Sequence, residues 1–173
     1  MQNLKILNSK ETKEILSVLE SQYGTDYSLL LKSYVLLMNK DNKLFIVNKE
    51  FALLDTSKVR INSLGMYIGE LHNNQIRLSI EGSQLLGKDA KKNVFELSKD
   101  REREWLRGKD LEVVHENTGF LIMKCRNVDG KDNSDKTKKE PEKHPEDFLG
   151  AGKVKDNRLM NFVSKNRRIA SSD

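Results

Sequence analysis

Residues 8–23 repeat their apolar side chains every three or four positions, which is the period of an amphipathic α-helix. Asn8 stands at the position of an N-cap, and Glu11 follows three residues later, as in a capping box. One face of this helix carries Ile15, Leu16, Leu19 and Tyr23. A stripe at this spacing indicates a helix that packs against a core, and we assign it no chemical role.

Two segments after this helix have the composition of β-strands. YVLLMN (34–39) and KLFIVN (43–48) are rich in the apolar and β-branched residues that suit a pleated sheet. The turn-forming residues Asp41 and Asn42 stand between them. The pattern predicts a short β-hairpin.

A second hairpin is predicted from alternation of apolar and polar residues. Along 76–80 the apolar positions alternate with Arg77 and Ser79, and GMYIGEL (65–71) precedes them across an Asn-Asn turn. The following EGSQLLG (81–87) has the pattern of a short helix that ends at its last glycine.

The second half of the chain again mixes strands with one helix. That helix is predicted over about 100–107, with Asp100 as its cap and Gly108 at its end. The predicted strands are NVFEL (93–97), LEVV (111–114), GFLIMKCR (119–126), FLGAGKV (148–154) and RLMNFV (158–163). The last two strands form a hairpin across Asp156 and Asn157. Several short strands around one helix favour a small β-barrel, in a chain of the α+β class.

One segment of this half, residues 127–147, resembles neither a strand nor a helix. It contains both prolines of the chain, many charges and almost no apolar side chains. Such a composition buries too little apolar surface to offset the entropy of ordering. We therefore predict a disordered, solvated insert inside a C-terminal domain of residues 91–173, which follows an N-terminal α+β domain of residues 1–90.

Charge distinguishes the C-terminal end from the rest of the chain. The 173 residues include 31 basic and 26 acidic ones, a net charge of +5. Residues 148–173 hold six basic and two acidic residues, so four of the five excess charges lie there. Clustered Lys and Arg attract phosphates, and this end is predicted to contact a polyanion. The simpler alternative is a tail that serves solubility alone.

No motif for catalysis, a cofactor or a metal is present. Cys125 is the one cysteine and lies in an apolar run, where burial is expected rather than reactivity. The three histidines, His72, His115 and His144, lack the spacing of metal ligands. We expect a protein that is not an enzyme, with no cofactor and no metal.

The glycines of GAG (150–152) admit three interpretations. They resemble the start of a dinucleotide-binding loop, but a strand and a turn follow instead of a helix. They also permit a bulge or a close backbone approach within a strand. The third interpretation is that they leave room for an RNA backbone.

The N-terminal sequence MQNLKILNSKETKE has no continuous apolar stretch of the kind found in signal peptides. No window of 18 residues is apolar enough for a membrane span. The expectation is a cytoplasmic protein without a membrane partner.

The order of motifs in the second half resembles the PUA domain of pseudouridine synthases, archaeosine transglycosylases and related RNA proteins. The motifs are NVFEL, a helix ending in WLRGKDL, GFLIMKC, FLGAGKV and RLMNFV. Upstream, KLFIVNKEF, LGMYIGEL and IRLSIEGSQLL resemble the domain that precedes PUA in the Nip-seven-type ribosome-biogenesis family. The closing NRLMNFVSKNRRI is also similar to the tail of some Nol/Nop/Sun RNA cytosine methyltransferases, whose catalytic domain has no room here. The charged insert departs from both patterns.

This resemblance implies an N-terminal pre-PUA-like domain followed by a PUA-like β-barrel that binds structured RNA. The implied function is a non-catalytic adaptor that acts on ribosomal RNA or its precursors, and so short a domain pair would suit an archaeal cell. The candidate RNA-binding residues are Arg158, Lys165, Arg167 and Arg168, with Lys153 and Lys155 beside them on the hairpin.

Two other functions stay open at this point. The chain is alternatively a protein-interaction subunit that recruits an RNA-modifying or assembly enzyme through residues 1–90, a segment with nearly balanced charge. The third possibility, a stand-alone RNA-modifying enzyme, has no support in the residues.

Overall fold

The computed structural model describes residues 4–53, 64–113, 119–126 and 146–170, which form two five-stranded sheets and three α-helices. The first sheet is an antiparallel meander of β1 (Leu4–Ile6), β2 (Tyr34–Asn39), β3 (Lys43–Asn48), β4 (Met66–His72) and β5 (Gln75–Leu78). The second contains β6 (Val94–Leu97), β7 (Leu111–Glu112), β8 (Phe120–Arg126), β9 (Glu146–Lys155) and β10 (Arg158–Asn161). The helices are α1 (Ser9–Tyr23), α2 (Ile80–Leu86) and α3 (Lys99–Leu106). In these ranges no helix has the length and hydrophobicity to cross a bilayer.

Helix α1 has the start and the buried face that the sequence predicts. The Asn8 side chain accepts hydrogen bonds from the backbone N–H groups of Lys10 and Glu11, each at 3.0 Å. The Glu11 carboxylate in turn accepts from the Asn8 N–H at 3.0 Å, which completes the capping box. Ile15, Leu19 and Tyr23 are buried, so the predicted apolar stripe is confirmed.

Helix α1 also protects the free edge of the first sheet at β5. The buried Gln22 amide accepts from the Ile76 N–H at 2.7 Å and donates to the Ile76 carbonyl at 2.9 Å. The Tyr23 hydroxyl donates to the same carbonyl at 3.0 Å. A side chain thus supplies the bonds that another strand would make, which satisfies backbone groups buried at a sheet edge.

Asparagine-containing turns connect the hairpins, as the sequence predicts. Asn73 and Asn74, between β4 and β5, have φ angles of 43° and 61°. Asp156 and Asn157, between β9 and β10, have φ angles of 51° and 59°. Consecutive residues with positive φ form the tight turn that matches the twist of a two-residue hairpin, and Asn and Asp tolerate this conformation.

The second sheet has the strand order β6-β8-β9-β10-β7, with β6 parallel to β8 and the other pairs antiparallel. In the described part of the chain it is a curled half-barrel, so the expected small β-barrel is not confirmed. Helix α3 packs on this sheet through the buried Trp105, whose indole N–H donates to the Leu149 carbonyl at 3.0 Å. Its edge strand β7 has only two residues.

Several element boundaries differ from the prediction. Helix α3 begins at Lys99 with Ser98 at its N-cap position, so Asp100 lies in the first turn instead of capping it. Strand β9 begins at Glu146, two residues inside the predicted insert, because its pairing with β8 extends to Arg126. The short strand β1 was not predicted. The remainder of the insert, 127–145, lies outside the described residues.

The two sheets share one hydrophobic cluster. Ile122, Phe148 and Ala151 of the second sheet pack in the same buried cluster as residues of the first sheet and α1. Phe148 lies against Gly87 so closely that a Cβ there would be 2.5 Å from a ring carbon. A second buried cluster, which includes Leu97, Trp105 and Leu159, lies between α3 and the other face of the second sheet. The second sheet thus contributes to both clusters.

Ser83 of α2 joins the sheets through a buried polar contact. Its hydroxyl oxygen accepts from the Gly150 N–H of β9 at 2.9 Å, and its proton is donated to the Ile80 carbonyl at 2.8 Å. Ser83 is fully buried, so water cannot replace this bond. The contact holds α2 in register with β9.

We call this contact between α2 and β9 the joint. Replacement of the Ser83 hydroxyl tests it. We expect Ser83→Ala to lower the free energy of unfolding by about 1–3 kcal/mol, because the buried Gly150 N–H loses its acceptor. Chemical denaturation measures the change. The matched control is Ser17→Ala at an exposed position of α1, which should stay within about 0.5 kcal/mol of the wild type. Equal stabilities for the two variants would contradict the assigned role of Ser83.

Candidate nucleic-acid interface

The hairpin of β9 and β10 presents three predicted RNA-binding residues on one face. Lys153 and Lys155 are two positions apart on β9, so their side chains project to the same side. Arg158 is the cross-strand partner of Lys155, directly beside the turn. Val154 and Leu159 project to the opposite side and are buried. The alternation therefore places the charges on the outer face, where Lys155 and Arg158 are exposed.

Two phenylalanine rings connect this hairpin to the first sheet. The Lys153 ammonium lies 5.1 Å from the ring centroid of Phe120 on β8. The Phe162 ring meets Phe120 edge-on at a centroid distance of 5.7 Å. The Arg77 guanidinium of β5 lies 4.8 Å from the Phe162 centroid. We call these four residues the cation–ring cluster. Both cations are within the range in which ring faces attract them.

A row of charges crosses the first sheet next to this cluster. Lys43, Glu70 and Arg77 are cross-strand partners on β3, β4 and β5. The Glu70 carboxylate lies 2.7 Å from the Arg77 guanidinium and 2.8 Å from Nε2 of His72. Burial, and secondarily the Glu70 charge, raises the pKa of Tyr67 above its usual value. The phenol is thus a neutral hydrogen-bonding group beside a row with excess positive charge.

The chain after β10 is fixed to the end of α3. The Asn161 side-chain amide donates to the carbonyls of Trp105 at 2.7 Å and Lys109 at 3.2 Å. Its backbone N–H donates to the Asp110 carboxylate at 2.9 Å. These bonds fix the backbone at Asn161, four residues before the 3-10 turn Lys165–Arg167.

The neighbouring arginines of the C-terminal segment make contacts with different elements. Arg167 forms an ion pair with Glu81 of α2. The Nε of Arg168 donates to the Val163 carbonyl at 3.0 Å, and its side chain covers Gly108 after α3. The two side chains are therefore held by different partners, although both are exposed, as is Lys165.

A groove of about 620 Å³ lies between the first sheet and the C-terminal segment. Aromatic side chains and cations line it together. Among its lining residues are Lys43, Tyr67, Arg77, Phe162, Ser164 and Arg167. The cation–ring cluster links Arg77 and Phe162 of the groove to Lys153 on the hairpin.

The glycines at 150 and 152 serve the chain's own packing. A Cβ at Gly152 would lie 2.7 Å from a Leu159 methyl and 2.8 Å from the Trp105 ring. Gly150 has a φ of 90°, which favours glycine, and its N–H is bonded to Ser83. The space above Gly152 is filled, so these glycines do not leave room for an RNA backbone. The interpretation as a close approach within a strand is correct.

Cys125 is buried, as expected from its apolar run. Its thiol donates to the Glu102 carboxylate at 3.0 Å. Burial, with this hydrogen bond as a lesser cause, raises the pKa of the thiol to about 12, so it stays protonated at neutral pH. His115 and His144 lie outside the described residues.

Sequence reasoning missed the contribution of the first sheet to this face. The alternation along 76–80 indicates that Arg77 projects away from the buried side. It does not predict that Arg77 contacts Phe162, which is 85 positions later in the chain. Lys43 gave no signal beyond its charge. Phe120 and Phe162 were recognised only as apolar strand residues.

The match to a known protein family covers the first sheet and α1. Residues 4–80 match a family model described as the NIP7/UPF0113 pre-PUA domain. The match ends at the first residue of α2, so the second sheet falls outside it. A search of curated proteins finds no match to the chain.

Proposed function

We propose that the protein is a non-catalytic RNA-binding adaptor in ribosome biogenesis, since residues 4–80 match the NIP7/UPF0113 pre-PUA domain. A domain of this type suggests an RNA-associated role in that process. In the proposal the chain grips ribosomal RNA or its precursor through the basic face of its C-terminal half.

The single observation that carries the proposal is the arrangement of the β9–β10 hairpin. The lysines and arginine that alternate with buried residues form one exposed basic face beside a tight turn. Phosphate contacts by such side chains fix the position of a nucleic acid on a protein without reading its sequence. The shape of the RNA would then provide most of the selectivity.

We further propose that the second sheet belongs to a PUA-like domain. Its position directly after a pre-PUA domain supports this assignment, as does the order of its strands and helix along the chain. The proposed contact residues are Lys153, Lys155, Arg158, Lys165, Arg167 and Arg168. The first three lie on the hairpin, and the last three lie where the chain leaves β10.

A second candidate function places a protein partner on the N-terminal domain. Large apolar side chains are exposed there: Ile6 at 65%, Leu29 at 80% and Leu53 at 84% of their surface. Scattered exposed apolar residues are common, but such side chains also mark protein contacts. An adaptor would use both surfaces, one for RNA and one for an assembly or modifying enzyme.

Two matched triple variants test the RNA contact. Lys153→Ala/Lys155→Ala/Arg158→Ala removes the hairpin charges, and Lys165→Ala/Arg167→Ala/Arg168→Ala removes the C-terminal ones. We expect each triple to weaken binding to structured ribosomal RNA and to reduce the salt slope by about 2–3, because each lost phosphate contact removes about one unit. Fluorescence anisotropy over a salt series measures both quantities.

The control for these variants loses the same charge at a distant surface. Lys10→Ala/Lys13→Ala/Lys32→Ala alters exposed lysines of the N-terminal domain and should retain most of the affinity. If all three variants behave alike, the binding depends on net charge and the assigned face is wrong. Absent binding by the wild type would favour the protein-interaction function instead.

The ion pair between Glu81 and Arg167 competes with phosphate for the arginine. We expect Glu81→Gln to raise RNA affinity by up to about fivefold, since exposed ion pairs contribute roughly 0.2–1 kcal/mol. The same anisotropy assay measures the gain. Glu14→Gln on α1 removes an equal charge at an exposed position and controls for net charge. An equal gain in both variants would exclude competition at Arg167.

A further inference from the structure

The groove between the first sheet and the C-terminal segment combines three features of a nucleotide-binding surface. It has a volume of about 620 Å³, within the range of roughly 300–1,000 Å³ that is usual for small-ligand sites. Aromatic rings line it, and so do basic residues of the first sheet and of the C-terminal segment. We propose that this groove binds an unpaired nucleotide of the RNA, with the base stacked at Arg77 and Phe162. This inference rests on the proposed RNA-binding function.

The Arg77 guanidinium is held as a fixed plane in the groove. On one side it lies over the Phe162 ring at 4.8 Å, and its amino group lies 2.7 Å from the Glu70 carboxylate. About a quarter of the side chain, 26%, remains exposed. Nucleobases stack on guanidinium planes and on aromatic rings in RNA complexes. Because Glu70 and Phe162 already orient the guanidinium, stacking a base on it would restrict few additional side-chain torsions.

The Phe162 position depends on the fold of the C-terminal segment. Asn161 fixes the preceding backbone to the end of α3, and the edge of the Phe120 ring supports Phe162 from the second sheet. Phe162 is half-buried, so part of its surface faces the groove. The stacking platform is therefore built from both sheets and requires the joint between α2 and β9.

Cations on the groove walls would contact the phosphates of such a nucleotide. Lys43 lies on the β3 wall, and Arg167 on the opposite wall is 56% exposed while paired with Glu81. Lys153 is the member of the cation–ring cluster that belongs to the exposed hairpin. A strand that leaves the groove in this direction would continue along the basic face. Glu70 and Glu81 also line the groove, so the three cations among its described lining residues exceed the two carboxylates by one. This small excess favours an anionic occupant.

An unpaired nucleotide is favoured over a duplex because of the position of the rings. Bases within an A-form duplex are stacked on each other and cannot insert between side chains, whereas unpaired bases in loops and ends can. The groove is lined by Tyr67 and Phe162, and the exposed hairpin outside it has the accessible charges that suit a duplex backbone. The two surfaces would thus recognise different parts of one RNA.

The test compares two RNAs with the full-length chain. The first is a single-stranded oligouridine, and the second is a blunt duplex with the same number of phosphates. The groove variants are Arg77→Lys, which keeps the charge but loses the planar group, and Phe162→Leu, which keeps an apolar side chain. Thermal unfolding verifies that each variant is folded. Lys10→Ala/Lys13→Ala is the control at a distant surface.

We expect both groove variants to weaken binding of the oligouridine by between about fivefold and a hundredfold, the usual effect of losing one base stack. Binding of the duplex should be unchanged. An oligouridine with one 2-aminopurine should show a fluorescence change on binding that Phe162→Leu removes. The Arg77→Lys variant keeps the salt slope of the wild type, because its charge is retained.

Two results would overturn this inference while leaving RNA binding intact. One is wild-type affinity for the oligouridine in both groove variants, and the other is an equal loss of affinity for oligouridine and duplex. If the wild type binds neither RNA in a salt-dependent manner, the proposed function fails and the nucleotide site fails with it.

Discussion

The packing of α2 against β9 is the contact on which the rest of the structure depends. Both partners are buried, and they meet through the Ser83–Gly150 hydrogen bond and the close contact of Gly87 with Phe148. Gly87 leaves room for the Phe148 ring, and Ser83 satisfies an N–H that water cannot reach. Because interiors pack densely, this joint leaves the two sheets little freedom to move independently. One of the two buried clusters therefore contains residues of both sheets, and the other belongs to α3 and the second sheet.

The candidate interface follows from this joint. Arg77 belongs to the first sheet and Phe162 to the segment after the second, so their contact exists only while the sheets keep their relative position. The ion pair of Arg167 with Glu81 crosses the same boundary. The hairpin that carries Lys155 depends less on the joint, since its pairing and its turn are local. The protein thus combines a locally determined basic face with a groove that both halves must build.

The sequence contains enough local information to predict α1, its capping box and the hairpins with asparagine turns. The charge count and the family resemblance selected the basic residues of the β9–β10 hairpin, but neither predicted which face of the hairpin carries them. Local patterns could not predict that Arg168 covers Gly108 or that Gly152 lies beneath Trp105, because these contacts join residues 47 to 60 positions apart. The expected small β-barrel is not confirmed, because whether a sheet closes depends on the pairing of its edge strands, which composition does not specify.

Hydrogen exchange of the full-length chain, with and without single-stranded RNA, tests the central claim most directly. The account predicts slower exchange on binding at the amides of 153–158, at 162–168 and in the β4–β5 hairpin, with unchanged exchange in α1. Protection confined to one half of the chain, or strongest in α1, would contradict the proposal that the two sheets together form an RNA-binding surface.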